Sequence, residues 1–517
     1  TIITTSNVNT SELLTALVNT LLVCGLCMLL AVPLGTLLAI GLRRSDVPGR
    51  RWAWIAISSQ LAVPLYVIAG SWSAGLGLQG WLRFGSSSSL AWLTADRLSG
   101  GMEAGLGSLL AVSVIHALAA IPWVVLIVSL GLTRAHRGQE ETARIEGGNW
   151  HFVRYSVLPR LRLWLAASCL WCAVPVLTEM VVTNLYQVPT VAEQVYLDAT
   201  QGSLSPWTYV ASVWLCLLPI LAIGFWLSRY APPWSELMAG IAQHPGRVVA
   251  LGPARWLWAS GLWMVVALIV GLPIVNLIIK AGWQPTIDAH GHSLYGWGIS
   301  RFSTTIYESI TLYYDPFYWS TMLALGSTAV ALTAATVLNA VAGRGHLRTA
   351  VNLLALSMVA VPGPLVGILI IAVMNRDSPA CLGYLYDNTL TAPILAQQFR
   401  LFPLAWLLSQ AILAANSPRV WEQAAVDGLT RVQKLVRIIA PHTWQQWLVA
   451  SLILVVMSIG ELSCSILVLP PGVATLSMRM FEMLHFGMRH QDSGLCGLLL
   501  VLGWLVALLS WKTLKDR

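Results

Sequence analysis

About eleven long apolar runs recur along this chain, at roughly residues 12–42, 52–76, 107–133, 163–188, 206–228, 256–279, 319–343, 350–374, 391–416, 446–469 and 494–511. Each comes close to the ~20 consecutive apolar residues that one helix needs to cross a bilayer. Where no water can pair with backbone N–H and C=O groups, the chain must satisfy them itself, and a helix does so within one segment. The sequence therefore predicts an all-α polytopic membrane protein with about eleven transmembrane helices. Composition agrees: 56% of the 517 residues are hydrophobic and 10% are charged, where an ordinary soluble domain carries roughly 25% charged residues.

A formal charge of +8 would suit a nucleic-acid partner in a soluble protein. In a polytopic one it matters where Lys and Arg fall relative to the spans. They cluster on alternate connections: Arg43, Arg44, Arg50 and Arg51, then Arg134 to Arg162, then Arg229, Arg247 and Arg255, Arg344 and Arg348, Arg419 to Arg437, and the C-terminal Lys512, Lys515 and Arg517. That face is predicted to be cytoplasmic, and no nucleic acid is needed to explain the charge. This orientation places Thr1 outside. The span at 256–279 lacks a first-half counterpart, so a parent protein of twelve spans, with a first helix before Thr1, is expected.

The chain also repeats itself, which is best sought before any local reading. Glu141 stands six residues before Gly147 and Glu422 six before Gly428. Pro159 and Pro441 then open the next apolar runs, and Glu179 and Glu461 each lie twenty residues beyond their proline. At ~1.5 Å of rise per residue, a helix begun at each proline would carry the two carboxylates to equal depth in the outer half of the membrane. Ionisable groups there are costly. Glu179 and Glu461 are read either as lining a translocation pathway or gate, or as making an interhelical hydrogen bond that fixes packing. The division expected is a first core at 1–230, a cytoplasmic linker at 231–255 rich in proline, and a second core at 256–517.

The two loops resemble the EAA motif of binding-protein-dependent ABC importers: Glu-Ala-Ala, three residues, Gly, then a proline-ended apolar stretch. Glu422, Ala424, Ala425, Asp427, Gly428 and Pro441 follow it closely; Glu141, Ala143, Gly147 and Pro159 follow it with Thr142 in place of the first Ala and one residue fewer before the proline. Small residues give a cytoplasmic helix a smooth face for a partner's groove, and glycine allows a sharp turn. The resemblance implies two pseudo-equivalent permease cores, two copies of an ABC ATPase gripping the loops, and an extracytoplasmic substrate-binding protein, in the inner membrane of a bacterium.

Fused permeases of this kind are typical of ferric-iron and thiamine importers. The segment Pro470 to Arg479 with His485-Phe486-Gly487, and its first-half analogue Thr183 to Thr190 with Glu193 and Tyr196, are similar to the ferric-iron type. Arg479 and His485 are accordingly expected at the outer mouth, against the binding protein. The resemblance implies no enzymatic activity and no cofactor or metal in this chain, with ATP and Mg bound by the ATPase subunit; no GxxxxGK(S/T) phosphate loop occurs.

Other patterns carry less. Cys24 with Cys27 and Cys169 with Cys172 have the spacing of a zinc site, but they sit in apolar runs and read as small packing residues. His290 and His292 read as a solvated pair. Leu98-Ser99-Gly100-Gly101-Met102 looks like an ATPase signature in a loop that has no phosphate site to serve. Most of the 25 tryptophans flank spans, as Trp52 and Trp256 do, and read as interfacial anchors. A secondary transporter would explain the spans and not the loops; a membrane-embedded enzyme lacks any HExxH, GxSxG or paired-Asp motif.

Overall fold

The computed structural model describes residues 10–77, 80–81, 105–132, 148, 151–201, 214, 217–218, 220–222, 224–225, 250–287, 293–342, 345–376, 378–414, 426, 429–487 and 489–515. In chain order the helices are α1 (Thr10–Arg44), α2 (Arg50–Ser59), α3 (Leu65–Leu76), α4 (Leu106–Leu132), α5 (Leu158–Thr178), α6 (Val181–Leu185), α7 (Val191–Gln201), α8 (Arg255–Val266) and α9 (Leu272–Gly282). Then come α10 (Ile299–Leu312), α11 (Tyr314–Ala342), α12 (His346–Ala360), α13 (Gly363–Met374), α14 (Ala380–Asn388) and α15 (Thr391–Ala414). The last are α16 (Arg431–Lys434), α17 (Ala440–His442), α18 (Trp444–Ile459), α19 (Leu476–His485) and α20 (His490–Lys515). Between α9 and α10, β1 (Trp283–Ile287) and β2 (Ser293–Trp297) form an antiparallel hairpin with Trp283 opposite Trp297.

Among the described residues, six helices are long and apolar enough to cross a membrane, or up to nine segments if each sharply bent helix pair counts as one. Several of the expected spans are not single straight helices. The runs 52–76 and 350–374 are not single rods: α2 with its 3-10 extension meets α3 at 108°, and α12 meets α13 at 107°. The cause is local. Val63 and Val361 precede prolines, whose rings disfavour the helical conformation of the preceding residue, and both take extended backbone, with ψ 122° and 127°. The run 163–188 stops being one helix at Thr178, and 446–469 at Ile459. Of the run 391–416, residues Thr391–Ala414 are helical as α15 but fall outside the six, having Gln397, Gln398 and Arg400 in their middle. The run 206–228 and the linker lie mostly outside the described residues.

Helix packing repeats in kind. α1, α4 and α5 pack on one another, and so do α11, α15 and α18. Small residues set the approach: a Cβ on Gly35 of α1 would come within 2.6 Å of Val124 in α4, and one on Gly326 of α11 within 2.9 Å of Ile394 in α15. Close approach through glycine is how helices gain van der Waals contact where lipid offers no hydrophobic drive. A π-turn at Phe152–Val157 leads into α5, and another at Leu435–Ile439 into α17. Pro159 and Pro441 follow those turns by two residues. A proline removes one N–H and its ring crowds a carbonyl one turn back; a widened turn at that point makes room for it.

Candidate functional site

The two segments following α5 and α18 carry most of the polar side chains singled out above. Glu179 caps the end of α5 with extended backbone (ψ 138°). Its Oε1 accepts from Val181 N at 2.8 Å and its Oε2 from Val182 N at 3.4 Å, so the carboxylate pins the first turn of α6. Glu461 follows the last residue of α18 by two, past Gly460. Its Oε1 accepts from Cys464 N at 2.6 Å and its Oε2 from the Ser465 hydroxyl at 3.1 Å. Both acids therefore lie just past a helix end and each holds a turn, Glu179 by accepting from N–H groups left orphaned at the start of α6 and Glu461 by accepting from a backbone N–H and a hydroxyl in the turn that follows α18. They meet through Ser463, whose hydroxyl donates to Glu179 Oε1 at 3.4 Å.

Further along, each segment straightens and starts a helix that docks on a long helix earlier in the chain, α7 on α1 and α19 on α11. Thr190 precedes α7, its Oγ1 accepts from Glu193 N at 3.4 Å, and Val191 N donates to Thr20 in α1 at 3.0 Å. Thr475 precedes α19, its Oγ1 accepts from Met478 N at 3.3 Å, and Leu476 N donates to Ser320 in α11 at 2.8 Å. The Pro470-Pro471-Gly472-Val473 stretch turns with Val473 N donating to Pro470 O at 3.1 Å. Gly472 at φ +82° supplies the left-handed residue that such a turn needs. The helices then reach across: α7 packs on α13 and α19 on α3.

Arg479 and His485 stand on α19. Arg479 pairs with Glu482 at 3.0 Å, both half-exposed. Together they line a cavity of about 460 Å³ with Tyr313, Phe486 and Arg489 among its walls. His485 is exposed, yet its ring is held at both nitrogens: Nδ1 lies 2.7 Å from Phe481 O and Nε2 lies 2.9 Å from Asn184 Oδ1. Asn184 Nδ2 in turn reaches Glu193 Oε1 at 3.3 Å. Glu193 is 5% exposed, its Oε2 has no partner, and burial pushes its carboxyl up to about 7 against the smaller pull of its hydrogen bonds. On the same helix, burial also raises the Asp198 carboxyl, which accepts from Gln194 at 2.8 Å.

Of the coupling-loop residues, Pro159 and Pro441 stand second in α5 and α17. Glu141, Ala143, Gly147, Glu422, Ala424, Ala425, Asp427 and Gly428 lie outside the described residues, as do His290 and His292. Cys24, Cys27 and Cys172 are buried free thiols, and Cys169 is partly buried. No group of three or more His, Cys, Asp or Glu that could hold a metal ion occurs among the described residues.

Sequence reasoning missed Arg400. Its guanidinium donates to Val359 O and Val361 O at 2.9 Å each and to Met358 O at 3.4 Å, stitching the elbow between α12 and α13. A lone Arg in the middle of a span was the available signal, because a charge there must find partners. It missed Ser463 and the role of Asn184 as well, since both act on residues hundreds of positions away. No family model, no curated protein and no solved structure matches this chain.

Proposed function

We propose that this chain is the membrane permease of an ATP-driven, binding-protein-dependent importer of the bacterial inner membrane, built of two pseudo-equivalent cores. One observation carries the reading. Each loop resembling the ATPase-gripping motif leads through a π-turn to a proline, Pro159 or Pro441; α5 runs from Pro159 to the turn pinned by Glu179, and the short α17 at Pro441 bends by 80° into α18, which runs to the turn pinned by Glu461. Two arms, one a single helix and one bent, with loops at one end and polar turns at the other, suit a device that couples ATP-driven closure of two ATPase subunits to opening of a central seam. ATP needs only to favour the closed ATPase pair for the permease to follow it.

Ferric iron is the cargo favoured, on the similarity of the 183–196 and 470–487 segments to the iron-type permeases; thiamine is the competing cargo. ATP and Mg belong to the ATPase. Co-expression with a candidate ATPase and binding protein, reconstitution in liposomes and measurement of ATP-dependent uptake of ferric ion and of thiamine test the reading. Uptake driven by an ion gradient through the chain alone would make it a secondary transporter instead.

A further inference from the structure

We propose that α10 is an in-plane membrane anchor, lying in the headgroup layer where α9 ends and α20 begins, with phospholipid as the partner of its outward face. This role follows from the chain's being embedded in a membrane and stands apart from the permease reading.

Length and contacts set the depth of this helix. Its fourteen residues at ~1.5 Å each make about 21 Å, short of the ~30 Å hydrocarbon core, so α10 does not cross. It packs on α9, β1 and α20 and meets them at their ends. Thr305 Oγ1 donates to Ala281 O at 2.9 Å, one residue before α9 stops, and accepts from Gln284 Nε2 at 2.8 Å. Ser309 Oγ lies 2.9 Å from Gln491 O in the first turn of α20, and a Cβ on Gly494 would come within 2.4 Å of that oxygen. α9 and α20 both belong to segments long and apolar enough to span, as does α11, which follows from Tyr314. A helix tied to the ends of three such segments lies level with the membrane surface.

The faces of α10 are reversed relative to a helix that meets water, which turns its charges outward and its apolar stripe inward. Its two charged side chains, Arg301 and Glu308, both engage the protein. Arg301 Nη1 donates to Gln284 O at 3.1 Å and to Gly296 O, and Glu308 Oε2 accepts from Gln491 Nε2 at 3.4 Å. The residues it buries completely are hydroxylic, Thr305 and Ser309. Exposed instead are Ile299, Tyr307, Ile310 and Leu312, with Ser300, Ser303, Thr304 and Thr311 among them and no charge. Ser303 Oγ donates to Ser300 O at 2.8 Å and Thr311 Oγ1 to Tyr307 O at 3.1 Å, so these hydroxyls are satisfied by the helix's own carbonyls and need no water.

Continuity says what covers this face. From Tyr307 and Ile310 the exposed stripe runs on to Tyr314 and then along α11 through Tyr318, Met322 and Leu325, at helical spacing on a membrane-crossing segment. Lipid covers the stripe on α11, and the same stripe on α10 meets the same solvent. The exposed rings of Trp297, Tyr307, Tyr314 and Tyr318 gather where the two helices join, and such rings, apolar in body with one polar atom, concentrate at the boundary of hydrocarbon and water. Because Thr305 and Ser309 fasten α10 to the last turn of α9 and the first turn of α20, the anchor holds both ends at one depth. Tilting either would drag Ile310, Leu312 and Tyr307 toward water.

The test uses the whole chain in phosphatidylcholine nanodiscs, one chain to a disc, with spin labels on keto-bearing residues placed singly at Tyr307 and Ile310, both exposed. Power-saturation EPR compares collisions with oxygen, which dissolves in lipid, against collisions with a water-soluble nickel chelate, with depth calibrated on spin-labelled lipids. Both labels should favour oxygen and lie about 5–10 Å inside the level of the phosphates. Labels that favour the nickel chelate would show a face bathed in water. Immobile labels that neither reagent reaches would show a face covered by protein. Either result overturns the anchor. No ATPase, binding protein or cargo takes part, so failure here leaves the permease reading standing, and failure of ATP-driven uptake leaves the anchor standing.

Discussion

Gly460 presses its α-carbon against the ring of Pro64: a Cβ built at 460 would stand 2.8 Å from Cγ and 3.0 Å from Cβ of that proline. Pro64 starts the second leg of the first elbow and Gly460 caps α18, so this approach joins the break between α2 and α3 to the polar turn after α18. The backbone of Gly460 is ordinary right-handed helix (φ −80°); space, not conformation, requires glycine here. Gly460→Ala should cost about 1–3 kcal/mol through overpacking, seen as a lowered melting temperature of the detergent-solubilised chain. Unchanged melting would mean the two segments do not touch.

Arg400 offers a sharper test of the second elbow. Replacing it with Met leaves the carbonyls of Val359 and Val361 without their donor in a region that supplies no water. That should cost roughly 2–4 kcal/mol, while Arg400→Lys, with one ammonium in place of a planar fork, should lose part of it. Thermal unfolding of the three proteins side by side checks the order.

The two acids can be separated into pins and pathway ligands. In Glu461→Gln one side-chain oxygen still accepts, but the amide NH2 is set against a donor, so the turn should weaken by about 1–2 kcal/mol. Glu179→Gln should behave alike. If uptake falls no more than stability does, the carboxylates act as pins. A loss of uptake of more than tenfold in a fully stable Gln variant would place them on the path of the cargo instead.

For the coupling loop, Gly428→Trp should release or uncouple the ATPase while the permease remains folded, because an indole cannot enter a groove cut for small residues. Affinity capture of the ATPase and ATP-dependent uptake read this directly, and normal values in both would rule out the docking role of that loop.

The span pattern was legible because a run of apolar residues reports membrane crossing whatever its direction. That same insensitivity hid the elbows: Val63-Pro64 and Val361-Pro362 stand in plain view, yet hydropathy treats both legs of a bent helix as one length. Counting from Pro159 and Pro441 located Glu179 and Glu461 at matching places and missed that the helices end before them. Glu179 and Ser463, or Asn184 and His485, are brought together only by the packing of distant helices, and nothing in local sequence encodes such a meeting. Arg400 could have been found by asking what a guanidinium does in the middle of a span, a question about partners and not about periodicity.

The two elbows are alike in angle and unlike in what braces them. At Val361-Pro362 a guanidinium holds the last carbonyls of α12 and that of the corner residue Val361, as a gusset plate stiffens a frame. At Val63-Pro64 the nearby Gln60 keeps a buried Nε2 with no partner. The two corners are thus braced by different means: a charge on three carbonyls at the second, and at the first the ring of Pro64 packed against Gly460 and the Tyr66 hydroxyl donating to Ile459 O.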